Sequence, residues 1–178
     1  MTSRVLPTLT LITAVGAAVV GGVFFAFSAF VMTALRRLPP DQGLAAMQSV
    51  NRQAPTAAFM LVMFGTAAAC VMLGVMSVRD PHGPGAWYRL AGAVLYLLGV
   101  LMTIAYHVPH NDTLARVDPA AAGAAGSWLR YASDWTVWNH VRTLLSVAGA
   151  VVLVIAVRVG DRAVAAAPAR IVPLGLPR

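Results

Sequence analysis

The sequence contains no lysine and no glutamate. Its formal charge of +7 comes from thirteen arginines set against six aspartates. Charged residues make up 11% of the chain, where a soluble domain carries roughly a quarter. Together with 59% hydrophobic residues and a mean hydropathy of +0.75, this excludes an ordinary soluble globule. The single cysteine, Cys70, excludes an internal disulfide and reads as a small packing residue in an apolar run. No basic run with interleaved aromatics is present, so the positive charge does not point to nucleic acid. There is no phosphate-cradling glycine loop, nucleophile elbow or dinucleotide fingerprint. The absence of an internal repeat and of a broken mid-membrane helix argues against a transporter.

What is present is a set of long uncharged runs: Thr8–Leu35, Thr56–Val78, Leu90–Tyr106 and Thr143–Val157. A bilayer core needs about 20 helical residues. The first run is too long for a signal-peptide core. The last is too short to span alone, so its helix is expected to start near Asp134 or Trp135, which embeds Arg142 about two turns inside it. These runs predict an all-α transmembrane four-helix bundle over residues 1–160, with spans near 8–35, 56–78, 88–107 and 135–158. Residues 161–178 read as a basic, disordered tail. Each of the two long loops is expected to hold a short amphipathic helix. One carries Leu44, Met47 and Val50 at helical spacing after Pro39-Pro40-Asp41; the other is expected to start with Asp118 as N-cap and Pro119 at the first helical position. Pro109 is expected to end or kink the third span.

This topology puts both long loops on one side of the bilayer. Ser28, Asn51, residues 107–112 and residues 134–142 are then able to converge. The termini side holds seven arginines (4, 79, 89, 158, 162, 170, 178) and the other five in loops (36, 37, 52, 116, 130), which favours cytoplasmic termini. On the fourth span Trp135, Trp138, Asn139, Arg142 and Ser146 share one helix face, and His140 points elsewhere. A membrane-embedded arginine faces the bundle interior and needs a partner; Asp112, Asp134 and Asn111 are the candidates. His107 and His110 suit a general base or a hydrogen-bond donor. With His140 they are also candidates for a metal or haem site, which leaves open a non-catalytic protein holding a metal, haem or quinone-like ligand. A structural subunit of a membrane complex is the third reading.

The motifs Gly22-Val23-Phe24-Phe25-Ala26-Phe27-Ser28, Met47-Gln48-Ser49-Val50-Asn51, Val108-Pro109-His110-Asn111-Asp112 and Trp135-Thr136-Val137-Trp138-Asn139-His140-Val141-Arg142 resemble those of the anthrone oxygenase-like family. These are small four-helix membrane proteins, many of them uncharacterised and bacterial. The resemblance runs over roughly residues 10–158. It implies an inner-membrane protein that oxidises a flat, hydrophobic anthrone-type substrate with molecular oxygen as co-substrate and without a prosthetic group. On that reading His107 or His110 is the base, and Arg142 with Asn139 or Asn111 stabilises an oxyanion. Phe24, Phe27, Ser28, Asn51, Trp135 and Trp138 bind substrate. The chain departs from the family pattern at His107, His110 and Thr33, where the family has asparagine, a hydrophobic residue and proline.

Overall fold

A computed structural model describes residues 4–166 and is all-helical. Helix α1 (Val5–Ala26) continues through a π-helical segment (Phe27–Val31) into α2 (Met32–Arg36). Helix α3 (Pro40–Gln53) follows, then α4 (Ala57–Arg79) and α5 (Ala86–Met102). A second π segment (Thr103–His107) joins α5 to α6 (Val108–Ala115), and α7 (Ala124–Ala166) closes the chain. Four of the resulting rods, Val5–Arg36, Ala57–Arg79, Ala86–Ala115 and Ala124–Ala163, are long and apolar enough to cross a membrane. They form a ring in the order α1, α4, α5, α7. Their outer faces expose large apolar side chains such as Ile12, Leu61, Leu101 and Leu144, as lipid contact requires.

Local chemistry accounts for the helix limits. Pro40 occupies the first turn of α3, where its missing N–H costs nothing, and Asp41 complements the positive helix end. Thr56 caps α4, its hydroxyl accepting from the Phe59 amide at 3.2 Å. Gly92 and Gly149 let α5 and α7 approach closely: an added Cβ at either would sit 3.0 Å from the other residue's carbonyl oxygen. Helix α3 lies across the loop end of the bundle. It buries Leu44 and Met47 against Leu114, Trp128, Tyr131 and Trp135. Gln48 Nε2 donates to the carbonyls of Leu114 and Val117, both at 2.9 Å, and so ties α3 to the end of α6.

Four sequence expectations need correcting. Pro109 does not end the third span. It falls in the first turn of α6 directly after the π segment, where the interrupted ladder makes no demand on its nitrogen. The fourth helix starts at Ala124, about ten residues early, so the expected second loop helix and the last span are one 43-residue rod. Asp118 does not cap it. Its carboxylate accepts from the Ala120 amide in a turn, and the helix begins after Gly123, whose φ of 93° breaks the chain direction. The rod also continues to Ala166, six residues into the segment read as a tail. The rest of that tail, residues 167–178, lies outside the described residues.

Candidate active site

Both π segments face the loop-side half of α7. A π turn shifts the backbone ladder by one residue and disturbs the carbonyl pairing around it, and α7 supplies polar side chains at this level. Asn139 is fully buried and uses all its polar atoms. Its Nδ2 donates to the Phe24 carbonyl at 2.8 Å and to Ser28 Oγ at 2.7 Å. Its Oδ1 accepts from Arg142 Nε at 2.7 Å. Thr143 Oγ1 donates to the Asn139 carbonyl at 2.7 Å and lies 3.4 Å from Ser28 Oγ. Asn139 therefore positions Arg142 and has no donor left for a ligand oxyanion.

Arg142 is 6% exposed. Its guanidinium carbon sits 3.9 Å from the Phe24 ring centroid and 5.1 Å from that of Trp135, a cation–π seat between α1 and α7. Nη1 meets Thr103 Oγ1 at 3.4 Å, while that hydroxyl donates to the Gly99 carbonyl. The expected partners Asp112 and Asp134 are exposed and make no contact with it. The charge is held by neutral acceptors and aromatic faces, which leaves donors of the five-donor guanidinium free.

Arg142 lines a cavity of about 330 Å³ enclosed by α1, α3, α4, the α5–α6 junction and α7. Phe24, Phe27, Asn51, His107, Asn111 and Trp135 also line it. His107 is 1% exposed; Nδ1 lies 3.4 Å from the Met102 carbonyl, and Nε2 has no hydrogen-bond partner. Beside it Asn111 Oδ1 accepts from Tyr131 Oη at 2.8 Å and Trp135 Nε1 at 3.0 Å, and Asn51 Nδ2 donates to Tyr131 Oη at 3.3 Å. This network fixes Asn111 on the cavity wall. Seven of the residues singled out in the sequence thus surround one space.

The others do not line it. Three helical residues fall about 60° short of a turn, which carries His110 and Trp138 to the flank of their helices. His110 stacks on Tyr106 with centroids 3.8 Å apart, its Nδ1 on the Tyr106 carbonyl at 2.8 Å. Trp138 covers Tyr106 from outside and is 42% exposed. Ser28 and Asn139 sit behind the wall. His140 is exposed, away from His107, and among the described residues no group of three His, Cys or Asp side chains comes together to hold a metal. The sequence reading missed Thr103 and Tyr131, which have no motif, and the α4 wall. That wall, Phe59, Met60, Met63 and Phe64, was legible as one helix face at i, i+1, i+4 and i+5.

The family model described as anthrone oxygenase matches residues 57–152, more than half of the chain. It takes in His107, Asn111, Trp135, Asn139 and Arg142, while Phe24, Phe27, Ser28 and Asn51 precede it. No curated protein and no solved structure matches the chain. With its four membrane-length helices and the matched segment spanning three of them, the chain belongs to the anthrone oxygenase family.

Proposed function

We propose that the protein oxidises a flat aromatic ketone of the anthrone type with molecular oxygen inside the loop-side cavity. The observation that carries this reading is His107 Nε2, buried and without a partner on the wall that also holds the Arg142 guanidinium. A buried polar atom left unpaired costs stability unless a ligand uses it. His107 takes a proton from the methylene carbon between the rings. The electron pair left behind spreads onto the ketone oxygen, and Arg142 meets that charge. The carbanion reduces oxygen and forms a carbon–peroxide bond. His107 returns the first proton to the outer peroxide oxygen, and that oxygen leaves as water with the second methylene proton as the new carbonyl forms. One oxygen atom ends in the product and the other in water. Phe24, Phe27 and Trp135 supply flat walls, and Asn111 a further polar contact.

The cavity's volume is at the lower end of small-molecule sites, about 300–1,000 Å³. Its lining includes Val23, Phe64, Ile104 and Val108, which are exposed on the bundle's outer face. A lipid-dissolved substrate enters there without crossing water. The arginine distribution, seven on the termini side against five in the opposite loops, supports a reading with both termini cytoplasmic.

The test uses purified protein in lipid nanodiscs with anthrone and dissolved oxygen, following quinone absorbance and oxygen uptake. His107→Gln is expected to lower turnover about 10²–10⁴-fold, the usual worth of a positioned base. Undiminished turnover in a folded His107→Gln protein removes the base assignment. Failure of the wild-type protein to consume oxygen with any anthrone removes the reaction itself.

A further inference from the structure

A second buried arginine stands at the opposite end of the bundle, far from the cavity. Arg89, in the first turn of α5, is 6% exposed. Its Nη1 donates to the Pro84 carbonyl at 2.8 Å, and its Nε has no partner. It lines a cleft of about 850 Å³ between the start of α1, the α4–α5 turn and the last turns of α7. Arg4 and Asp161 also line the cleft, so the charges on its lining sum to one positive charge; Asp80, which acts on Arg89, is not on the lining. Asp80 in the α4–α5 turn acts on the guanidinium through space but makes no salt bridge with it, and a buried charged donor left unpaired is costly.

The cleft does not end at the charged rim. Thr10 and Ala156 form its inner edge. One turn further along α1, and at the next residue of α7, a wholly apolar groove begins. It is lined by Ala14, Val15 and Ala18 on α1 and by Ala150, Val151 and Val154 on α7. A polar head chamber at the membrane edge followed by a lipid-facing apolar channel has the shape of a single amphiphile.

We propose that this end of the bundle binds an anionic glycerophospholipid. Its phosphodiester sits on Arg89 and Arg4, its headgroup hydroxyls donate to Asp161, and one acyl chain lies along the α1–α7 groove. The net single positive charge selects a monoanion over a zwitterion, and arginine matches phosphate oxygens with paired N–H donors. Basic pockets between membrane helices are known headgroup sites. Free phosphate satisfies the rim and leaves the groove unused.

The experiment is native mass spectrometry of the full chain titrated with phosphatidylglycerol, phosphatidylcholine or inorganic phosphate, with melting temperature as a second readout. Phosphatidylglycerol is expected to remain bound and raise the melting temperature, and neither of the others to do so. Arg89→Gln should weaken phosphatidylglycerol binding about tenfold or more, as loss of a charge-assisted bond predicts. Ala18→Trp, which fills the groove from an exposed position, should weaken it too and keeps the test open if Arg89→Gln does not fold. Equal binding of both lipids, full competition by phosphate, or two folded variants with unchanged affinity each overturn the proposal.

Discussion

The two buried arginines solve the same problem in opposite ways. Arg142 lies well inside a 43-residue helix, stacked on Phe24 and bonded to Asn139 and Thr103. Arg89 lies at a helix start with one bonded carbonyl, an unbonded Asp80 in the preceding turn and an open cleft beside it. No salt bridge to either is found among the described residues, although the Asp80 carboxylate in the α4–α5 turn acts on Arg89 through space. Around Arg142 the protein supplies the polar partners, through two π segments and a saturated asparagine. Around Arg89 it supplies little, and the bilayer edge is within reach. Burial alone therefore does not tell what an intramembrane arginine is for; the ownership of its partners does.

The largest effect that can break this contrast is expected at Arg142. Arg142→Ala should lower anthrone turnover about 10²–10³-fold, as loss of one preorganised oxyanion donor does. Arg142→Lys keeps the charge without the planar fork and should recover only part. Full turnover by a folded Arg142→Ala protein, judged by circular dichroism and gel filtration, would return Arg142 to a purely structural role like the one Asn139 holds.

Next comes Asn139→Ala. It takes one of two donors from the Phe24 carbonyl and leaves Arg142 Nε unpaired, and leaving a buried group unpaired costs about 1–3 kcal/mol. A lowered melting temperature in detergent, with turnover reduced by less than in Arg142→Ala, is the expected pair of results. Normal stability with abolished turnover would instead make Asn139 a direct ligand contact.

The smallest effect is expected at His110. It lies on the flank of the site, stacked on Tyr106. His110→Ala loses the stack on Tyr106, which should cost about 0.5–1.5 kcal/mol, and should leave quinone formation at the wild-type rate. A large drop in rate would move the base from His107 to His110.

Much of the fold was legible because the bilayer imposes it. Uncharged runs of helical length leave few alternatives to spanning helices, and the side on which the loops meet follows from counting spans. Residues such as Asn51, Asn111 and Trp135 could be brought together from that count. The same reasoning erred at Pro109 and Asp118, where local rules of proline and capping were overridden. A π segment absorbed the proline, and the loop helix expected at Asp118 starts only past Gly123 and runs on into the last span.

The amino-acid sequence by itself determined the class of the molecule, its four spans and the end where polar residues gather. Hydropathy and chain length act residue by residue along the chain and need no partner. Only the tertiary structure decided which of those polar residues face the cavity and which are consumed in holding it. That choice depends on helix rotation and on two π segments, each of which redirects the side chains beyond it. It separated His107 from His110, turned Asn139 from a ligand contact into the brace of Arg142, and left one imidazole nitrogen without a partner.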